Sequence, residues 1–346
     1  SFLLQVPVGF FVDKFGARLI LMAGIALLSA TTVLYGLIPG YPALFALSIV
    51  AGAANSVFHP ADYSILNASV TKARLGRAFS VHNLGGFVGY AAAPVLMSGM
   101  GAFWGWKTAV IAAGAAGLIT VIIAIVLSGD FRDSSHSRRD PARRPGFKAD
   151  LKLLFSAPAL LCLMFFALLA AGQLGPQWFA DKVYYLAHDV PVLVGNSFIS
   201  VFVIGIIGGV IAGGIVADRA RDHLKLAFIS FFLSGVGMIL MGILSPDSSL
   251  IYPLFIVTGF LFGFGFSSRD MVVSSLAPPE SSGKVFGFVF SGLDIGAAGI
   301  PIVYGYMIGS DRPLQLFYLA GALIILAGVS VVVAGRSATA REGITQ

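Results

Sequence analysis

Apolar runs of about 20 residues, the length a helix needs to cross a bilayer, recur along the whole chain. They predict spans over 17–38, 42–69, 77–99, 104–128, 158–184, 191–217, 224–245, 250–275, 284–308 and 314–335. Residues 1–12 read as the last turns of another span. The first residue is Ser1, so the N-terminus is read as missing and the want of a signal peptide carries no meaning. Alternating strands of about ten residues, the mark of a membrane barrel, do not appear.

One long polar stretch, GDFRDSSHSRRDPARRPGFKADLK, interrupts the pattern at about 129–152. It reads as a linker between two halves. The expected organisation is an incomplete N-terminal transmembrane bundle (1–128), a cytoplasmic linker (129–157), a C-terminal transmembrane bundle (158–336) and a cytoplasmic tail (337–346).

Composition agrees. The 346 residues are 57% hydrophobic and 11% charged, and the mean hydropathy is +0.91. A soluble domain carries about 25% charge, so the class is an all-α integral membrane protein. Eighteen of the 22 Lys and Arg fall in one set of connections. Three (Lys107, Lys182 and Arg312) fall in the other, and Arg269 lies inside a span. The basic side is cytoplasmic by the positive-inside rule. The net charge of +6 is then topology, and no nucleic-acid partner is implied. The single Cys162 lies in a span and forms no intrachain disulfide.

The two halves repeat. Asp13 pairs with Asp218 at an offset of 205. Gly76, Arg77, Gly85, Gly89 and Pro94 pair with Gly283, Lys284, Gly292, Gly296 and Pro301 at 207, and Asp62 with Asp270 at 208. A sustained offset marks an internal duplication. The copies have the same sidedness, as parallel repeats do.

The clip between the first two apolar runs, Gly9-x-x-x-Asp13-x-x-Gly16-x-Arg18, resembles the signature between the second and third helices of major facilitator transporters. A weaker copy is Gly214-x-x-x-Asp218-Arg219. The resemblance covers essentially the whole chain. It implies two parallel-repeat six-helix bundles, with about 11 of 12 spans present and the first helix and most of the second missing. It also implies that Asp13 meets the start of the helix near 284 and Asp218 that near 77, as latches of a cytoplasmic gate. A carboxylate is favoured at a helix N-terminus by about 0.3–1 kcal/mol.

An ionisable side chain inside a membrane is a functional candidate by default. Asn55, His59 and Asp62 recur at i, i+4 and i+7, with Pro60 among them freeing the carbonyl of Ser56. Ser267, Asp270 and Ser274 form the matching stripe, with Arg269 beside it. In the resembled fold both stripes line the central cavity. The alternative makes Asp62 and Asp270 salt-bridge partners of Arg77, Arg269 or Lys284. His59 is the candidate proton carrier of the first half, because an unperturbed histidine titrates in the working range. His82 is either a site or a packed histidine. Asp294 reads as proton-binding or as paired with Arg269. Gln173 and Gln177 flank Gly175-Pro176, where a broken helix would suit substrate binding. Gly85, Gly89 and Ala93 predict a close-packing face, as do Gly205, Gly209 and Gly213.

Phe58-His59-Pro60 is most similar to the fosmidomycin-resistance-like branch of that superfamily. Ala61 stands where the branch has a carboxylate, and a basic residue common in many proton-coupled members is absent near Ser48. The expectation is a secondary transporter of a small organic solute, working by alternating access as a proton-coupled exporter in a bacterial inner membrane. The alternatives are uptake of an organic anion with Arg269 as its partner, and a non-transporting sensor-like paralogue. Partners are a small-molecule substrate, protons and the lipid bilayer, in a monomer. No Walker-type loop, H-E-x-x-H or cysteine pair occurs, so no cofactor, metal site or enzyme constellation is expected.

Overall fold

The computed structural model describes residues 1–127, 129, 146–278, 281–309 and 312–344, with side chains to 336. The chain is helical: α1 (Phe2–Phe15), α2 (Ala17–Leu37), α3 (Tyr41–Asn55), α4 (Phe58–Ser69), α5 (Leu75–Trp104), α6 (Trp106–Leu127), α7 (Phe147–Leu154), α8 (Ala157–His188), α9 (Val192–Ala217), α10 (His223–Met241), α11 (Ile251–Leu276), α12 (Ser282–Ile308) and α13 (Gln315–Ile344). Among the described residues there is no strand, and ten spans are long and apolar enough to cross a membrane. Each of the ten runs read from sequence falls on one of them. Large aliphatic side chains such as Ile122, Val126 and Leu127 face outward, which suits a lipid solvent rather than water.

Two differences from the sequence reading are local. The run 42–69 is one span but two helices. Ser56 and Val57 form a turn whose amides bond back only three residues, to Ala53 and Ala54. Pro60 has no N–H to return to Ser56, and the Ser56 hydroxyl donates to the Ala53 carbonyl at 2.6 Å. The expected break at Gly175-Pro176 is absent, and α8 runs through it for 32 residues. The Tyr304 ring fills the space at Gly175, and its hydroxyl donates to the Ala171 carbonyl at 3.0 Å.

The chain divides into two compact units. One comprises Ser1–Thr71, Gly85–Leu151 and Ala277–Phe288. The other comprises Lys72–Leu84, Lys152–Leu276 and Val289–Gln346. In the first, Val12, Ala17, Leu21, Ala61 and Ile65 form a core. Of the linker read at 129–157, residues 130–145 lie outside the described residues, and its later part contains α7.

In the second unit α9 and α11 pack backbone to backbone. A Cβ at Gly205 or Gly209 would strike the main chain of Ile256 or Phe260, and one at Gly259 or Gly263 that of Phe202 or Ile206. The predicted small-residue face of α9 is therefore a packing face. That of α5 is not. Among the described residues a Cβ at Gly85 or Gly89 would meet nothing within 4 Å. At the repeat-related Gly292 and Gly296 it would meet Leu163 and Ala167. Gly209→Leu is expected to destabilise the second unit by about 1–3 kcal/mol through overpacking, read as a lower thermal midpoint in detergent. Gly89→Leu should leave the midpoint unchanged.

Candidate functional site

Two polar constellations stand out, one in each unit. The first begins at Asp13 in the last turn of α1. The chain must turn sharply after it, and Gly16 does so at φ 101°, a conformation that side chains disfavour. Gly9 lets α1 reach the start of α12, since a Cβ there would lie 2.6 Å from the Gly283 carbonyl oxygen. Asp13 is thus brought to two first-turn amides of α12. Its Oδ1 accepts from Gly283 N at 2.9 Å and its Oδ2 from Lys284 N at 3.2 Å. The Lys284 ammonium is buried. It lies 3.9 Å from Asp13 Oδ2 and donates to Asp150 Oδ1 at 2.5 Å. Arg18 is half-buried beyond the turn.

Asp150 was invisible in sequence because it sits in what reads as a linker. The signal is there: Phe147, Leu151 and Leu154 recur at i, i+4 and i+7, and Phe147 lies against Phe10 with ring centroids 6.2 Å apart. Removing the carboxylate leaves a buried ammonium leaning on Asp13 alone. Asp150→Ala is expected to cost about 1–3 kcal/mol, measured by thermal denaturation, and Lys284→Met combined with it should recover part of the loss.

The repeat-related arrangement lies in the second unit. Asp218 Oδ1 accepts from Arg77 N, in the first turn of α5, at 3.1 Å, and Oδ2 pairs with Arg77 Nε. Gly214 admits Ser80, whose hydroxyl donates to the Val210 carbonyl at 2.6 Å. Arg219 is exposed.

The second constellation is on α11. Asp270 is wholly buried, and Arg269 is 5% exposed. Arg269 Nε donates to Asp270 Oδ1 at 3.2 Å, and Asn83 Nδ2 of α5 donates to Oδ2 at 2.8 Å. The guanidinium carbon lies 3.9 Å from the Phe266 ring centroid and 4.9 Å from that of Phe166 on α8. Two desolvated aromatic faces stabilise a cation by about 2 kcal/mol or more and fix its plane. Among the described residues neither Nη group has a hydrogen-bond partner. Arg269 takes Asp270, not Asp294, as its ion-pair partner. Asn83 and the two phenylalanines carry no sequence signal that separates them from ordinary packing.

The remaining candidates are spread out. Asn55 ends α3 and is exposed, while His59 and Asp62 lie one turn apart on α4, both half-buried. His82 is half-buried on α5, within electrostatic reach of Asp270. Asp294 is half-buried on α12. Gln173 donates from Nε2 to Gln177 Oε1 at 3.3 Å along α8. Ser267 is buried on α11, one turn before Asp270. The described residues contain no cluster of His, Cys, Asp and Glu that could hold a metal.

Ten apolar spans, duplicated carboxylate contacts at helix starts and a buried ion pair define a polytopic membrane protein with an internal repeat. The chain matches the Major Facilitator Superfamily over residues 1–301 and again over 183–345. It belongs to that superfamily, which places it among membrane transporters rather than enzymes. It is 24% identical to the D-galactonate transporter of Escherichia coli O6:H1, over 95% of this chain and 81% of that one. It is 22% identical to the probable galactarate/D-glucarate transporter GarP of E. coli K12, over 96% and 81%. Among solved structures it resembles the E. coli fucose:proton symporter FucP, with a TM-score of 0.77, 9% identity and coverage of 96% and 87%. The human organic anion transporter MFSD10 gives a TM-score of 0.75 at 14% identity, covering 95% and 80%.

Proposed function

We propose that this protein takes up a small hydroxylated organic anion of the sugar-acid kind across a bacterial inner membrane, with a proton as the coupling ion. The observation that carries the reading is Arg269. A permanently charged side chain is expensive inside a membrane, and this one spends a single N–H on Asp270. Its two Nη groups form the planar fork that binds a carboxylate bidentately. The sugar-acid names of the two curated relatives, aligned over nearly the whole chain, support the same solute class.

Coupling follows from charge. Arg269 and Asp270 together are neutral, and a second carboxylate would leave a net negative charge in a low dielectric. A proton taken by Asp270 restores neutrality, so anion and proton bind together and cross together. The site is then exposed to each side in turn. The export reading rests on Phe58-His59-Pro60 and ranks below uptake, because those residues name no solute.

The test is accumulation of radiolabelled D-galactonate in proteoliposomes holding the full chain, acidic outside, with galactose as the uncharged control. Inward accumulation with internal acidification, and none of galactose, is expected. Flux of no acid at all would overturn the reading, and transport of the acid only against an inward proton flow would make the protein an exporter.

A further inference from the structure

We propose that a groove at the basic-side ends of α9 and α10 binds the anionic head group of a phospholipid. It measures about 460 Å³, within the size range of small-molecule sites. Its walls are aliphatic: Ile215 and Val216 from the last turn of α9, Leu226 and Ile229 from the first turns of α10. Ile215, Val216 and Ile229 are 47%, 39% and 42% exposed.

Three cations stand on the same groove. Arg219 and Arg221 come from the connecting turn and Lys225 from the first turn of α10. None makes an ion pair with a described residue. The one carboxylate present, Asp222, is already engaged in capping α10, where it accepts from Lys225 N at 2.9 Å. The groove thus carries a net charge of two positive units against open aliphatic walls.

The positive-inside rule explains cations in this connection. It does not explain aliphatic side chains opened beside them at the level where two spans end. An anion with an apolar body fits both features. At that depth, on the cytoplasmic leaflet, it is an anionic phospholipid, its phosphate among the cations and its chains along Ile215 and Ile229. A soluble phosphate would use the cations and leave the walls bare.

Native mass spectrometry of the full chain, titrated with dioleoyl phosphatidylglycerol and with dioleoyl phosphatidylcholine, tests this. The first lipid should bind more tightly. Each basic side chain near a membrane surface is worth about fivefold, so Arg221→Ala with Lys225→Ala should weaken phosphatidylglycerol by about 25-fold and leave phosphatidylcholine unchanged. The charge-conserving pair Arg221→Lys and Lys225→Arg should bind as the unaltered protein does, which separates lost charge from lost folding. Equal binding of both lipids by the unaltered protein overturns the site, as does phosphatidylglycerol binding indifferent to the alanine pair. Displacement by glycerol 3-phosphate at lipid-like concentration would overturn the lipid as occupant.

Discussion

Arg269→Gln should abolish accumulation of a sugar acid and also lower the thermal midpoint, and the two effects should separate in a double variant. The single change takes the guanidinium away from Asp270, a wholly buried carboxylate, and leaves the Asn83 amide donating to it. Breaking a buried pair on one side costs about 3–5 kcal/mol, whereas replacing both partners is often neutral. Arg269→Gln with Asp270→Asn should therefore recover the midpoint and remain dead for acid transport. Asp270→Asn alone gives the opposite picture. It frees the guanidinium from its resident counter-ion, so D-galactonate should bind more tightly, by about tenfold for one charge-assisted contact. Binding to the unaltered protein should weaken as pH rises, because each anion arrives with a proton, and binding to Asp270→Asn should not. Scintillation proximity binding between pH 6 and 8 measures both. If the double variant recovers transport along with stability, Arg269 is a structural cation.

Asp13→Ala should cut transport at least tenfold with little change in the binding of solute to detergent-purified protein. The substitution removes the acceptor of two first-turn amides of α12 and the second carboxylate near Lys284. Hydrogen bonds to a charged group contribute about 1.5–3 kcal/mol each. A loss of about that size at one contact shifts a two-state equilibrium more than tenfold. Asp13→Asn keeps one acceptor and should fall between. Rates of counterflow in proteoliposomes, set against equilibrium binding, distinguish a displaced conformational balance from a damaged solute site. Equal losses in both would mean that Asp13 holds the fold and nothing more.

The spans were legible because bilayer thickness fixes a length, and length survives any detail of packing. The duplication was legible for a similar reason, since Asp13 and Asp218 recur with their glycines at one offset. What the repeat could not supply was each copy's surroundings. Gly85 and Gly292 correspond in sequence, yet one faces open space and the other the main chain of Leu163. Proline was an equally partial guide. Pro60 coincides with a turn, while Pro7, Pro94, Pro176 and Pro301 lie inside continuous helices. A proline removes one hydrogen bond but need not part the helix: α8 runs through Pro176 with the Tyr304 ring packed at the neighbouring Gly175. Arg269 announced itself as the cation deepest within a span. Its partner stayed open among Asp62, Asp270 and Asp294, because adjacent positions on a helix point about 100° apart and only the curl of a long side chain lets neighbours meet. Asp150 was hidden by a polar stretch whose composition outweighed eight residues of helical pattern.

The close approach of α9 and α11 has a practical consequence. With the glycines of each helix set against main-chain carbonyls of the other, neither helix can slide past the other without steric collision, so their separation is a built-in ruler. Probes on the outward positions Ile204 and Val257, 59% and 54% exposed, should report one distance in every state of the transport cycle. That pair calibrates any other label pair whose distance changes with substrate or pH. The calibration needs no cysteine-free background, because Cys162 is buried and out of reach of a thiol reagent.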